Sequence, residues 1–211
     1  MGISCYIEMA MRILVTGGTG FVGANLVHYF VRHDEEVHLT VRSGSDYWRL
    51  GDIQKEVTLH PLDLTDRERT MAFVGSLKPD IVLHCATYGA YQGREQDPEL
   101  TMRTNVLGTM NLLDAALSVP LRCFINTGSS SEYGIKERPM DESDPLEPTS
   151  LYGVSKASAT LLAQLKARMT SAPVVSMRLF SPYGPYEDGR RFMPVVINAY
   201  LRGGAPTLIA P

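Results

Sequence analysis

The sequence lacks the features that mark membrane, secreted and nucleic-acid-binding proteins. No apolar run reaches the length of about 18 residues that a membrane-spanning helix needs, and we predict no membrane contact. The three cysteines have no paired spacing, which favours a reduced cytoplasmic setting over a disulfide framework, and we predict no metal site. A net charge of −3 without a basic block argues against nucleic acid as a partner.

The chain is long enough for one complete domain. It has 211 residues, 44% of them hydrophobic, which suffices for one continuous core. Residues 1–10 have neither the basic start nor the long apolar stretch of a signal peptide. They precede the first predicted strand, and we treat them as an N-terminal extension outside the fold.

A cluster of glycines at 16–23 organises the rest of the chain. It follows the apolar run 12–15 and precedes a stretch whose apolar residues repeat with the period of a helix. Glycine lets backbone N–H groups approach a pyrophosphate closely, and a helix N-terminus favours negative charge. This order is typical of a dinucleotide-binding unit, although a glycine turn can also be purely structural. The residues predicted to hold a cofactor here are Gly17, Gly20, Phe21, Val22 and Gly23.

Strand-like and helix-like stretches alternate along the chain. We predict strands near 12–16, 36–41, 57–60, 80–85, 121–126 and 174–179, and helices near 20–33, 66–76, 97–118 and 151–170. This alternation predicts an α/β fold, a Rossmann-type doubly wound parallel sheet with helices on both faces. Ligands bind such a sheet at the carboxyl ends of the strands, where the strand order reverses.

The residues after the second predicted strand indicate which dinucleotide binds. An NAD site places a carboxylate there for the adenosine ribose hydroxyls, whereas the 2′-phosphate of NADP needs a cation. Val41 is followed here by Arg42 and Ser43, and no carboxylate comes until Asp46. We therefore predict NADP(H) in preference to NAD(H), held by Arg42 and Ser43, with a solvated surface arginine as the alternative.

Polar residues near the later strands complete the predicted cofactor site. Asp63, which follows the third strand, could accept the adenine amino group or could simply begin the next helix. His84 is better explained as a hydrogen-bonded core histidine than as a catalyst. Asn105, in a mostly buried helix, is either a structural bridge between strands or part of a polar relay beside the cofactor. Further predicted cofactor contacts are Leu64, Ala86, Thr87 and Thr127.

Tyr152 and Lys156 are four residues apart in a predicted helix and therefore lie on one face of it. A phenol has a pKa near 10, and a fixed ammonium beside it, with the positive nicotinamide ring nearby, lowers that pKa. Tyr152 could then exchange a proton with a sugar hydroxyl or ketone while hydride moves to or from the cofactor. Ser129, after the fifth predicted strand, would hydrogen-bond the same oxygen. Taken alone, such a pair could also be a solvated helix face.

The glycine turn, the serine after the fifth strand and the Tyr-x-x-x-Lys pair occur together in a known family. The chain resembles the extended short-chain dehydrogenase/reductases, in particular the NAD(P)-dependent epimerase/dehydratase group that acts on nucleotide sugars. The resemblance extends from Met11 to about Pro211. Its motifs lie at 16–23, 63–64, 84–86, 105–109, 129–134, 152–156 and 178–185.

The resemblance implies a role for each residue of the site. Tyr152 is implied to be the acid/base, Lys156 to bind the nicotinamide ribose and tune the tyrosine, and Ser129 to orient the substrate oxygen. Ser181 replaces the asparagine that usually contacts the sugar diphosphate. The implied substrate contacts are Tyr88, Ser129, Ser130 and Ser181.

The resemblance also implies the domain organisation and the oligomer. Residues 11–180 are expected to form the NAD(P)-binding Rossmann domain, and 181–211 to begin a small substrate-binding lobe that is largely absent from this chain. Relatives commonly dimerise through the helices that here lie near 97–118 and 151–170, and the same homodimer is expected.

Departures from the family pattern narrow the implied reaction. Members that eliminate water carry an acid pair directly after the residue that matches Ser129, where this chain has Ser130 and Ser131. Glu132 comes one place too late, so dehydration is disfavoured. The segment 41–50 is similar to that of reductases and epimerases of nucleotide-linked 4-keto-6-deoxy sugars. We predict an NADP(H)-dependent nucleotide-sugar reductase, with a nucleotide-sugar epimerase as the alternative and a dehydratase or a non-catalytic NADP-sensing protein less favoured.

Overall fold

A six-stranded parallel sheet forms the centre of the protein. The computed structural model describes residues 10–90 and 97–206. The strands are β1 (Arg12–Thr16), β2 (Glu36–Val41), β3 (Thr58–Pro61), β4 (Ile81–His84), β5 (Cys123–Ser129) and β6 (Val174–Leu179). Their order is β3-β2-β1-β4-β5-β6, and all paired strands are parallel. The order reverses between β1 and β4, so a crevice opens at their carboxyl ends.

Helices lie on both faces of the sheet. The described helices are α1 (Phe21–Val31), α2 (Arg67–Leu77), α3 (Pro98–Met102), α4 (Gly108–Ala116), α5 (Leu151–Thr170) and α6 (Phe192–Leu201). A π-helical turn at Arg103–Leu107 joins α3 to α4, and short 3-10 turns occupy Gly51–Glu56 and Ser130–Glu132. None of the described helices combines the length and hydropathy needed to cross a membrane.

Successive residues of β1 point to opposite faces of the sheet. Ile13 and Val15 pack in one core cluster with Val27 of α1. Leu14 packs on the other face with Phe124 of β5, in a cluster that includes residues of α2, α4 and α5. The central strands β1 and β4 are buried on both faces, and they are nearly continuous apolar runs. The predicted Rossmann-type α/β fold is confirmed.

The elements differ from the prediction in three places. The predicted helix near 97–118 consists of α3, the π turn and α4. The predicted strand near 121–126 ends later, at Ser129, because Ser129 still pairs with Leu179 of β6. The helix α6 was not predicted. The division of the chain into a Rossmann domain and a substrate lobe after residue 180 stays a prediction.

Candidate active site

A cleft of about 920 Å³ lies at the carboxyl ends of the strands, above the glycine turn. It brings together side chains that are far apart in the sequence. The predicted site residues that line it are Gly17, Gly20, Phe21, Val22, Gly23, Arg42, Asp63, Leu64, Ala86, Thr87, Tyr88, Thr127, Ser129, Ser130, Tyr152, Lys156 and Ser181. Ser43 and Asn105 lie outside this lining. The positions converge on one cleft, while the role of each residue stays a prediction.

The glycine turn leaves bare backbone at the N-terminus of α1. Gly17 has a φ of +70°, and a Cβ there would lie 2.6 Å from the backbone of Cys85 and of Ala86. A Cβ on Gly23 would lie 2.3 Å from the carbonyl oxygen of Gly17. Side chains at these positions would collide with the backbone, so glycine is what lets the turn pack closely against β4 and α1. The resulting cradle fits the pyrophosphate of a dinucleotide.

His84 is a hydrogen-bonded core histidine, as predicted. Its Nδ1 is 2.7 Å from Thr16 Oγ1, and its Nε2 is 2.8 Å from Thr109 Oγ1. Burial, together with the charge of Lys156, lowers the pKa of His84 to about 3, so the ring is neutral at neutral pH. Burial also raises the pKa of the neighbouring Cys85 thiol to about 12, which makes that thiol unreactive. The histidine therefore ties β1 and β4 to α4 beneath the cleft.

Asn105 connects the segment after β4 to α5. Its Oδ1 accepts hydrogen bonds from the Tyr88 backbone N–H at 2.7 Å and from the Thr87 hydroxyl at 3.2 Å. Its Nδ2 donates to the Tyr88 carbonyl and to Ser155 Oγ, both at 2.9 Å. These bonds join a loop to a helix and not two strands, as the predicted bridge would, while the part of Asn105 in a polar relay beside the cofactor stays a prediction. Through Asn105, Thr87 is held at the edge of the cleft.

Tyr152 lies on the cleft in the first turn of α5. Ser150 precedes the helix and accepts a hydrogen bond from the Gly153 backbone N–H at 3.0 Å, which caps the helix start. The Tyr152 side chain lies near the side chains of Ser129 and Thr87, which line the same cleft and act to lower its pKa. Three hydroxyl groups from β5, α5 and the segment after β4 therefore meet at one point of the cleft. A set of hydroxyls in this arrangement can bind an oxygen atom of a ligand and move a proton to or from it.

Burial decides the pKa values of the tyrosine and the lysine. It raises the pKa of Tyr152 above its ordinary value, although the nearby hydroxyl groups of Ser129 and Thr87 act in the opposite direction. It lowers the pKa of Lys156 to about 8, against the opposing effect of the negative charge on Glu132. Without a ligand, the pKa of the tyrosine is therefore not lowered below its ordinary value, and the lowering expected with a nicotinamide ring nearby stays a prediction. At neutral pH the phenol carries its proton, and the lysine is charged.

Glu132 lies fully buried beneath the cleft, and its role was not predicted. Its Oε2 accepts a hydrogen bond from Arg178 Nε at 2.9 Å, and its Oε1 accepts one from the Thr160 hydroxyl at 3.1 Å. Oε1 also accepts the backbone N–H of Ser129 at 2.8 Å. The Arg178 guanidinium lies 4.8 Å from the centre of the Tyr133 ring. This buried pair fixes the backbone that carries Ser129, and no local sequence pattern joins its two members, which are 46 residues apart.

Arg42 and Ser45 form the end of the cleft beyond β2. The Arg42 N–H donates to Ser45 Oγ, and the Ser45 N–H donates to the Arg42 carbonyl, both at 3.1 Å. This turn places Ser45, and not the predicted Ser43, on the cleft. Burial favours the neutral form of Asp63, but hydrogen bonds from Thr65 and the charge of Arg42 outweigh it and lower the pKa. The Thr65 contacts, at 2.9 Å and 2.8 Å, place Asp63 at the start of a turn. The residue that caps α2 is Asp66, which accepts the Arg69 N–H, so Asp63 does not begin the helix as one of its two predicted roles required.

A parallel sheet of this strand order, with a glycine turn between its first strand and the following helix, is the Rossmann fold. The chain belongs to the NAD dependent epimerase/dehydratase family, whose sequence model matches residues 13–210. It is similar to the dTDP-glucose 4,6-dehydratase of Mycobacterium tuberculosis, with 32% identity over 206 residues. That match covers 94% of this chain and 61% of the relative, so the chain spans about three fifths of the relative's length. The family resemblance found in the sequence is confirmed.

Two solved structures of 4-epimerases are similar to this chain. UDP-glucuronic acid 4-epimerase from Bacillus cereus, solved with UDP-glucuronic acid and NAD, has a TM-score of 0.77 at 25% identity, covering 93% of this chain and 65% of its own. UDP-N-acetylglucosamine 4-epimerase from Methanobrevibacter ruminantium has a TM-score of 0.82 at 25% identity, covering 96% and 66%. The fold of this chain is therefore that of nucleotide-sugar enzymes.

Proposed function

We propose that this chain carries the catalytic site of an NAD(P)-dependent nucleotide-sugar epimerase in which Tyr152 moves the proton. The observation that carries this proposal is the meeting of the Tyr152, Ser129 and Thr87 hydroxyls on a cleft that also contains the glycine cradle and Lys156. The similarity to two 4-epimerases supports epimerisation ahead of the reduction that the sequence favours.

The cleft residues fit a dinucleotide along its length. The glycine cradle would hold the pyrophosphate, and Lys156 would bind the nicotinamide ribose. When bound, the dinucleotide supplies an acceptor and donor of hydride at its nicotinamide ring. Arg42 supports the NADP(H) predicted from the sequence, whereas Asp46 on the same cleft and the relative solved with NAD support NAD(H). We keep NADP(H) as the proposed cofactor, and tighter binding of NAD than of NADP would refute that choice.

Tyr152 acts on the reacting oxygen of the sugar. As a phenolate it takes the proton of the sugar hydroxyl during oxidation, and as a phenol it returns the proton when the keto sugar is reduced on its other face. Lys156, one helical turn away and charged at neutral pH, stabilises the phenolate. Ser129 hydrogen-bonds the same oxygen and holds it at the tyrosine. A bound dinucleotide would accept the hydride and give it back, so the cycle would have no net cofactor turnover.

The side chains do not support elimination of water. The positions after Ser129 are Ser130 and Ser131, which lack the carboxylic acid that elimination needs. Glu132 is engaged with Arg178 and Thr160 in the interior. The similarity to a dTDP-glucose 4,6-dehydratase is therefore taken as evidence of family and not of dehydration.

A nucleotide-sugar reductase is the second candidate, because Arg42 lies on the cleft where NADPH would place its 2′-phosphate. Cofactor stoichiometry separates the two. An epimerase consumes no cofactor, whereas a reductase of a nucleotide-linked 4-keto sugar consumes one NADPH for each product molecule. UDP-glucose, UDP-glucuronic acid, dTDP-glucose and a dTDP-linked 4-keto-6-deoxy sugar are suitable probes, with absorbance at 340 nm reporting the cofactor.

Tyr152→Phe tests the proposal directly. The variant should lose at least about a hundredfold in turnover, because a positioned general acid–base contributes about 10²–10⁴. Tyr200→Phe is the matched control, since Tyr200 is 82% exposed and should leave turnover unchanged. Full turnover by Tyr152→Phe would refute proton transfer by this residue, and binding without turnover by the wild type would favour the NADP-sensing protein.

We propose that the chain forms the homodimer implied by its family. Helix α5 exposes Val154, Leu161, Leu165 and Met169, whose spacing places them along one side of the helix. Exposed apolar side chains in such a row are typical of an interface. Leu161→Glu should convert a dimer to a monomer in sedimentation velocity, and a wild-type monomer would refute the proposal.

The cytoplasmic setting also stays a proposal. It is supported by Cys85 and Cys123, which are free thiols in the described part of the chain. Cys5 lies outside the described residues.

A further inference from the structure

Glu187, in the segment between β6 and α6, is a buried carboxylate on the wall of the cleft. Its side chain is only 7% exposed. Its Oε2 has no hydrogen-bond partner within residues 10–90 and 97–206. The other oxygen, Oε1, lies 3.6 Å from Arg191 Nε. A buried carboxylate oxygen without a donor is costly, so its position on a ligand cleft indicates that a ligand supplies the donor.

The segment that carries Glu187 is attached to the cofactor side of the cleft. Asn25 Nδ2 donates to the Pro185 carbonyl at 2.9 Å, and Arg49 Nε donates to the Tyr186 carbonyl at 2.8 Å. The Tyr186 ring stacks on His28 of α1, with ring centres 4.6 Å apart. These contacts fix the residues immediately before Glu187. The carboxylate is therefore presented to the cleft by an ordered segment, which a binding residue requires.

The charges around Glu187 restrict what it can bind. A carboxylate accepts hydrogen bonds and repels phosphate groups, and the neighbouring Arg191 disfavours a metal cation. Glu187 and Arg191 line the same cleft as Tyr152, and the charge of Arg191 lowers the pKa of that tyrosine against the larger effect of burial. A neutral donor is left as the ligand group. A nucleotide sugar and a dinucleotide carry neutral donors as sugar hydroxyls and as N–H groups of the base or the nicotinamide amide. Sugar hydroxyls are the most numerous of these donors, and they flank the reacting carbon of the substrate.

We propose that Glu187 is a sugar-hydroxyl-binding residue, whose Oε2 accepts a hydrogen bond from a hydroxyl of the bound ligand while Arg191 holds Oε1. The inference rests on the proposed function, which puts sugar-bearing ligands in this cleft. Two ligands carry the required group: the sugar of the nucleotide-sugar substrate and the ribose of the cofactor. In both cases a hydroxyl would donate a hydrogen bond to a carboxylate that is already in position.

The test uses Glu187→Leu, which keeps most of the volume and removes the acceptor, and Glu187→Gln, which keeps a neutral acceptor. Asp188→Asn is the matched control, because it removes a neighbouring negative charge outside the cleft lining. Calorimetric titration with NAD⁺ and NADP⁺ measures cofactor binding. Titration with UDP, UDP-glucose, dTDP and dTDP-glucose in the presence of cofactor isolates the contribution of the sugar.

A hydrogen bond to a charged acceptor is worth about a tenfold to a hundredfold change in affinity. In Glu187→Leu, a loss of tenfold or more for the nucleotide sugars, with UDP and dTDP unchanged, assigns the hydroxyl to the substrate. A similar loss for NAD⁺ or NADP⁺ assigns it to the cofactor ribose. Glu187→Gln should lose less in either case, and Asp188→Asn should stay within about twofold of wild type.

Ligand-free thermal unfolding separates binding from a structural role. Removing an unpartnered buried oxygen should leave the melting temperature of Glu187→Leu unchanged or raise it. The proposal is overturned if Glu187→Leu has a lower melting temperature and loses affinity equally for every ligand. It is also overturned if the affinities for all ligands stay unchanged. If the wild type binds neither nucleotide sugar, the proposed function itself fails. If the wild type and the variant bind the ligands equally well, only the role of Glu187 fails.

Discussion

Replacing Lys156 with methionine should stabilise the ligand-free protein and abolish its activity. Lys156 is only 3% exposed, and burial lowers its pKa from an ordinary 10.5 to about 8. At about 1.4 kcal/mol for each pKa unit, the buried charge costs the folded state about 3 kcal/mol. Methionine has a side chain of similar length without the charge. Lys156→Met should therefore raise the free energy of unfolding by up to about 3 kcal/mol at pH 7.

The stability difference between the two proteins should depend on pH. Below about pH 8 the lysine carries its proton in both the folded and the unfolded state, so the folded wild type bears the whole cost. Between about pH 8 and 10.5 the folded protein releases a proton that the unfolded chain keeps. Wild-type stability then rises relative to that of the variant. The difference should shrink by about 2 kcal/mol between pH 7 and pH 10.

Urea unfolding, followed by the fluorescence of the single tryptophan, Trp48, measures both effects. Lys166→Met is the matched control on α5, because Lys166 is 30% exposed and pairs with Asp114 at 2.6 Å. It should change stability by less than about 1 kcal/mol. A Lys156→Met protein less stable than wild type at pH 7, or a stability difference that does not vary with pH, would refute the reasoning.

Three further substitutions test the buried pair beneath the cleft and the glycine turn that lines it. Glu132→Gln leaves the Arg178 charge buried without its partner. It should lower the free energy of unfolding, measured by urea titration, by about 3–5 kcal/mol. A loss below about 1 kcal/mol would contradict a stabilising role of the buried pair. Gly17→Ala places a Cβ 2.6 Å from the Ala86 backbone and should weaken binding of NAD⁺ or NADP⁺ at least about tenfold in calorimetry. Gly75→Ala, where a Cβ meets nothing within 4 Å in α2, should instead stabilise the protein by about 0.5–1 kcal/mol, and equal effects of the two alanines would contradict the steric argument.

The fold could be predicted because its signals are local. Each strand is an apolar run next to a helical pattern, and the glycine turn at 16–23 marks where the first strand passes into a helix. Parallel strands must place their carboxyl ends on one edge, so residues after the strands converge without any knowledge of their contacts. This explains why the cleft contains Arg42, Thr87 and Ser129 as the sequence predicts.

Contacts between residues distant in the sequence could not be predicted. Glu132 and Arg178 are joined only because β5 and β6 pair. Glu187 stands in a segment with no regular period, and its orphan oxygen becomes meaningful only when the cleft is seen. Ser45 lines the cleft in place of the predicted Ser43 because of a turn of a few residues. A sequence pattern shows which residue types occur, whereas these features depend on where single atoms lie.

The pKa of Tyr152 likewise depends on a feature that the sequence does not reveal. The four-residue spacing to Lys156 is visible in the sequence, and a charge at that spacing favours a phenolate. The spacing does not reveal that both groups are buried, and burial opposes the charged form of each. Both shifts favour the neutral forms, so the protein alone holds a protonated phenol beside a lysine whose pKa lies near 8. Ionisation of the tyrosine then requires additional positive charge in the cleft, which an oxidised nicotinamide ring would supply. The proton transfer should therefore be coupled to cofactor binding, and the pKa of Tyr152, followed by its ultraviolet absorbance, should fall when NAD⁺ or NADP⁺ is added.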